Sequence, residues 1–268
     1  MHLLIIDPQN DFCDLPNAAL PVPGAHADMQ RLAALIQRGH SGLSAITVTL
    51  DSHHRYDIAH PTFWQAAGGG AVAPFTEITA NDVRGGRFLP RDPAAMPRAL
   101  AYLDALESSE RYRLMVWPVH CEIGSWGQNV HDDVRSAYNQ WEEARHAVVS
   151  KVVKGSNPWT EHYSAVMAEV PDANDPGTQA NGALIDSLAQ SPAVYIAGEA
   201  GSHCVKATTE HIVRFIDPAR LVLLTDCMSP VPGFEAQQQD FLRDMAQCGA
   251  RLASAEQALD EWLEHAAS

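Results

Sequence analysis

Short runs of leucine and β-branched residues recur along this chain and dictate what it can fold into: "HLLIID" (2–7), "LSAITVTLD" (43–51), "RLMVWP" (113–118), "AVVSKVV" (147–153), "AVYIAGE" (193–199) and "RLVLLTD" (220–226). Nearly continuous apolar runs suit strands of a parallel sheet covered on both faces; a sheet with one wet face would alternate instead. Helical patterns lie between the runs. Met29, Leu32, Ala33 and Ile36 follow i, i+3, i+4, i+7 spacing, with Gly39 near the end as a stop. Segments 178–189, 204–215, 234–247 and 254–265 read as further helices. Strands alternating with helices join through right-handed crossovers. The expected fold is a three-layer α/β/α arrangement around a six-stranded, mainly parallel sheet.

One stretch breaks the rhythm. Between Arg55 and Tyr112 no core strand is obvious, and "AAGGGA" (66–71) and "RGGRFLPRDP" (84–93) look like loop. Asp92-Pro93 resembles an N-cap with proline at the first helical position, opening a helix through about Leu106. Residues 65–112 therefore read as an insertion in a single domain spanning 1–268.

Charge narrows the partners. The chain carries 18 basic against 33 acidic residues, a formal charge of -15, which repels phosphate backbones and anionic membrane surfaces. No stretch approaches the roughly 18 to 20 apolar residues of a membrane span. "MHLLIIDPQNDF" has no basic leader and only a brief apolar run before Asp7, which argues against a signal peptide. The five cysteines, Cys13, Cys121, Cys204, Cys227 and Cys248, form no CxxC pair, so neither a disulfide framework nor a zinc ribbon is expected. The expected setting is the cytoplasm, where cysteines are buried thiols or catalytic ones, and the expected partner is a small molecule rather than nucleic acid or membrane.

Ligands of open α/β sheets bind beyond the carboxyl ends of the strands. Asp7, the Asp51/His53 pair, His120, Lys154 and Cys204 all sit at such ends. If the strand persists through Asp51, alternation puts Asp51 and His53 on one face. With His120 they make one carboxylate and two imidazoles, a set that suits zinc, iron or manganese. His60, in "DIAHPTFW", is a candidate fourth ligand. Each residue also has a structural reading: a turn cap for Asp7, a solvated charge for Lys154, a buried thiol for Cys204. Cys204 would see the positive end of a helix, and Gly198 and Gly201 would let amides converge on an oxyanion. His203 is poorly placed as its base, because neighbours on a helix project roughly 100° apart.

"LLIIDPQNDF", "LDSHH", "WPVHCEIGSWG", "VVKGSNP", "GEAGSHCV" and "LTDCMSPVPGFE" occur in the order seen in the isochorismatase-like cysteine hydrolases, and the metal-type signature resembles that of nicotinamidases. The match runs from Met1 to about Ser254, interrupted mainly by 65–112. It implies a catalytic set of Asp7, Lys154 and Cys204, a metal held by Asp51, His53 and His120 with His60 in addition, and aromatic walls from Phe12 and Trp117. It also implies a cis Glu199–Ala200 peptide, with the Ala200 and Cys204 amides as the oxyanion hole. The implied activity is hydrolysis of nicotinamide to nicotinate and ammonia through a thioester on Cys204, in pyridine nucleotide metabolism, with a divalent metal, zinc foremost, and with homo-oligomers common in the family. Gly201-Ser202 departs from the Thr-Asp of many relatives, which leaves two alternatives open: hydrolysis of another small amide, such as a carbamoyl or ureido compound, or a non-catalytic binding protein.

Overall fold

A computed structural model describes residues 1–267. Its strands in chain order are β1 (His2–Ile6), β2 (Ala45–Asp51), β3 (Trp64–Ala66), β4 (Thr76–Ile78), β5 (Phe88–Pro90), β6 (Leu114–Val116), β7 (Ser150–Lys154), β8 (Val194–Gly198), β9 (Leu221–Leu224) and β10 (Arg251–Ala253). Its α-helices are α1 (Ala25–Gly39), α2 (Ala80–Arg84), α3 (Met96–Ser108), α4 (Asp132–Arg145), α5 (Gly182–Ala189), α6 (Cys204–Ile212), α7 (Glu235–Gln247) and α8 (Ala255–Ala267). The central sheet has six strands in the order β10-β9-β8-β1-β2-β7, and every neighbouring pair is parallel.

Alternation along β1 assigns the two faces. Leu3 and Ile5 enter a core shared with Met29 and Leu32 of α1, Trp141 of α4 and Trp262 of α8. Leu4 and Ile6 enter the opposite core, with Leu184 of α5, Val205 of α6 and Phe241 of α7. Both faces are covered, which is why these strands read as unbroken apolar runs. Tyr102, Leu103 and Leu106 of α3 belong to the second core, so segment 65–112 packs on that side. Among the described residues no helix is long and apolar enough to cross a membrane.

Two expectations need correction. "RLMVWP" is a strand, but β6 pairs antiparallel with β4, in register Thr76↔Val116, outside the central sheet. The sixth central strand is β10, whose three residues are too few to stand out as an apolar run. Hydrophobicity reports burial, not the partner. The second correction is α4, which the sequence reading passed over. Val134, Ala137, Tyr138 and Trp141 are its buried residues, at the helical i, i+3, i+4, i+7 spacing, but they are scattered in the polar "DDVRSAYNQWEEAR". The helix expected from 92 begins as anticipated: Asp92 accepts from the Ala94 amide and opens a short 3-10 turn, Pro93–Ala95, that leads into α3.

Between the two halves of the sheet, β8 and β2 flank β1, so the carboxyl ends of β8, β1, β2 and β7 lie side by side. Gly198 makes the first of these contacts possible: its φ is +121°, and a Cβ there would sit 1.9 Å from the Ile6 carbonyl oxygen. The chain then passes through a cis Glu199–Ala200 peptide into α6.

Candidate active site

Three side chains from three strand ends meet under α6. The Lys154 ammonium lies 2.8 Å from Asp7 Oδ2 and 3.7 Å from Cys204 Sγ. It also donates to Asp51 Oδ1 at 3.1 Å and to the His162 carbonyl at 3.0 Å. Thr49 of β2 fixes Asp7 from behind, accepting from its amide and donating to its Oδ1. All of these groups are buried. Burial raises the Asp7 carboxyl above its ordinary value, and Lys154 pulls it part of the way back. Burial alone would lower the Lys154 ammonium, but Asp51 and Asp7 outweigh it and hold that group well above the usual lysine range. Burial keeps the Cys204 thiol well above the usual cysteine range, with Lys154 acting in the opposite sense.

The second oxygen of Asp51 faces a histidine cluster. Asp51 Oδ2 is 3.1 Å from His53 Nε2 and 3.4 Å from His120 Nε2. One ring nitrogen each of His53, His60 and His120 lies within 4.8 Å of the others. His53 Nδ1 is 3.1 Å from Asp57 Oδ2, and His120 Nδ1 is 2.8 Å from the Pro118 carbonyl, so both rings are oriented through their far nitrogens. A carboxylate with buried imidazoles, steered by a second carboxylate, is a donor set that fits a divalent transition metal. Burial, followed by His120 and His53, pushes His60 down to about 2, which leaves it the neutral imidazole that a metal requires. The structure thus brings His60 together with the other candidates.

Gly155 closes the gap between these two groups. Its φ is +86°, and a Cβ would fall 2.8 Å from Asp51 Oδ1 and 3.3 Å from His53 Cε1. Gly155→Ala is expected to displace Asp51 and to lower stability by about 1–3 kcal/mol through the left-handed backbone alone. Denaturant titration checks it; an unchanged midpoint would mean that the left-handed backbone at this position carries a side chain without cost.

A small cavity beside Cys204 is lined by Phe12, Leu20, Asp51, Trp117, His120, Glu161, Tyr163, Ala200, His203 and Val231. Phe12 and Trp117 are therefore both wall residues. Trp117 Nε1 donates to the Tyr163 hydroxyl at 3.0 Å, and the His203 ring stands edge-on to Trp117 with centroids 5.1 Å apart. His203 Nδ1 is engaged by Ser202 Oγ at 2.9 Å, so its role is as part of this wall. Among the described residues, neither the Ala200 nor the Cys204 amide donates to a backbone carbonyl or side chain. Sequence reasoning missed Thr49, Asp57, Tyr163 and Glu161. Thr49 could have been found, because it shares a strand face with Asp51 two residues on. Glu161 lies in irregular chain after β7, held by its amide donating to the Tyr102 hydroxyl of α3 at 3.1 Å.

No known family profile matches the chain, and no curated protein does. Solved structures do match: the architecture is the fold of the isochorismatase-like hydrolases. Among those sharing it are nicotinamidases. The yeast nicotinamidase Pnc1p is 20% identical, with 94% of this chain and 98% of that one covered and a TM-score of 0.65. An Acinetobacter baumannii nicotinamidase/pyrazinamidase is 18% identical over 96% and 97% of the two chains, with a TM-score of 0.64. A Pyrococcus horikoshii pyrazinamidase, solved in complex with zinc, is 19% identical over 94% and 98%, with a TM-score of 0.54.

Proposed function

We propose that this protein is a metal-containing cysteine amidohydrolase acting on nicotinamide, and that Asp7, Lys154 and Cys204 are its catalytic residues. The observation that carries the reading is the convergence of that carboxylate, ammonium and thiol beside a carboxylate–histidine cluster, at the mouth of an aromatic cavity. Asp7 takes the thiol proton as Cys204 attacks the carboxamide carbon, while Lys154 balances the negative charge shared by the pair. The Ala200 and Cys204 amides, which have no other acceptor among the described residues, receive the oxyanion. Asp7 returns the proton to the departing ammonia, and water then hydrolyses the thioester.

Phe12 and Trp117 hold the ring flat. Asp51, His53, His60 and His120 would hold the metal; zinc suits these donors, as do iron and manganese, and when bound it supplies a Lewis-acid contact that anchors the substrate. The raised Asp7 carboxyl suits a group that must both accept and release a proton near neutrality.

The test is ammonia release by the metal-supplemented protein across nicotinamide, pyrazinamide and a set of carbamoyl and ureido compounds. Nicotinamide is expected to give the highest kcat/KM. A preference for a ureido compound would move the substrate within the same chemistry, and no release from any amide would overturn the assignment.

A further inference from the structure

Beneath the turn that leads into α6 lies a buried acid with no part in the chemistry above. Glu199 is 0% exposed. Its Oε2 accepts from the Ser229 amide at 3.1 Å, while its Oε1 meets no donor among the described residues. Ser229 spans the two acids here, because its hydroxyl donates at 2.5 Å to Asp28 Oδ2 on α1. Glu199 and Asp28 thus meet on one serine, and two carboxylates are both acceptors, so neither can donate to the other unless one of them carries a proton.

The other titratable and charged groups around Glu199 offer no substitute. From the chain after β1 come the thiol of Cys13 and the carboxyl of Asp14; around Asp28, rather than Glu199 itself, lies the thiol of Cys227, beside Asp226. The nearby cation, Arg31, is engaged by Asp28 Oδ1 at 3.1 Å and by Asp226. Burial foremost, and Asp28 and Asp14 after it, push Glu199 well above the usual glutamate range.

The place of this pair in the fold gives it a consequence. The turn is sewn to its surroundings on both sides of Glu199. The Glu199 amide donates to the Ile6 carbonyl at 2.8 Å, Gly198 N–H to Cys227 at 2.9 Å, and Gly201 N–H to the Ser229 carbonyl at 2.8 Å. Ala200, whose amide is half of the suggested oxyanion hole, lies between these stitches. We propose that Glu199 and Asp28 share one proton, and that this makes Glu199 a positioning residue for the Ala200 amide.

An ionised Glu199 would place two full negative charges on one serine and loosen the turn. An uncharged carboxyl keeps the Ser229 amide and Asp28 together. The inference rests on the amidohydrolase reading for its kinetic consequence, but its stability consequence does not.

Two measurements separate these. The first is urea unfolding of the wild type and Glu199→Gln from pH 5 to pH 9. A carboxyl raised in the folded state takes up a proton on folding, so its contribution is present at low pH and is lost as pH rises above the ordinary glutamate value. Glu199→Gln is therefore expected to gain on the wild type progressively with pH; parallel curves would overturn the shared proton whatever the protein catalyses. The second is kcat on the best amide of the panel. Glu199→Gln should retain it within about threefold, and Glu199→Leu, which deserts the Ser229 amide, should lower kcat about 10- to 100-fold with little change in KM. Equal kcat in both variants would overturn the positioning role. If Glu199→Gln does not fold, Asp28→Asn serves instead: its amide oxygen accepts a hydrogen bond from the Glu199 carboxyl without the second charge, and the variant should keep kcat within about threefold, whereas a loss as large as that of Glu199→Leu would sink the proposal.

Discussion

Cys204→Ala is expected to lower kcat/KM by at least about 10³-fold, because without a nucleophile only binding and the oxyanion amides remain. The sulfur is a small group that lines a cavity beside Lys154, so the fold should survive its removal with a loss of about 1 kcal/mol. Ammonia release and thermal unfolding of the same preparation separate the two effects. The outcome that would remove the thiol mechanism is retained turnover that chelation abolishes. In that case a metal at Asp51, His53, His60 and His120 would be activating water directly, and Cys204 would be structural.

Lys154→Met should produce the second large effect, and mostly in stability. The ammonium is the cation set between Asp7 at 2.8 Å and Asp51 at 3.1 Å, with all three groups buried. Removing one partner of such a set strands the others and costs about 3–5 kcal/mol. The pH dependence carries a sign. Without the lysine, burial raises Asp7 unopposed by its nearest cation, so the folded variant binds a proton that the unfolded chain does not. The deficit should therefore be smallest near pH 5 and grow toward pH 8, as urea midpoints would register. A deficit that is the same at every pH would mean that these carboxylates do not depend on Lys154. On the proposed mechanism activity should fall as well, since that mechanism needs the Lys154 charge beside the sulfur.

Much of this was legible before any coordinates, and the division is physical. Strands buried on both faces announce themselves, so β1, β2, β8 and β9 could be read directly; the edge strand β7 is mostly exposed and was read from its β-branched valines, while β10 and α4 could not be read: one is short and the other is mostly polar in sequence. Asp7, Asp51, Lys154 and Cys204 could be located because a parallel sheet gathers its strand ends, and the ordered motifs singled out the same residues. What stayed hidden comes from irregular chain and from segment 65–112. Tyr102 of α3 reaches Glu161, and Tyr163 reaches Trp117, across loops whose course has no period to read. Glu199 was read only for its backbone, since nothing in "GEAGSHC" says that Asp28 and Ser229 lie beneath it.

Asp51 has a consequence for how the site responds as a whole. Its two oxygens are divided, Oδ1 to the lysine and Oδ2 to the imidazoles of His53 and His120, so one carboxylate is a member of both assemblies. Any ligand that draws electron density from one oxygen weakens what the other can offer. Thermodynamic reciprocity then binds the two halves: whatever occupancy of the histidine cluster does to the charge state of Lys154, that charge state does in equal measure to the affinity of the cluster. A cation taken up by the histidine cluster and a proton taken up beside Lys154 would therefore be linked equilibria, each reporting on the other.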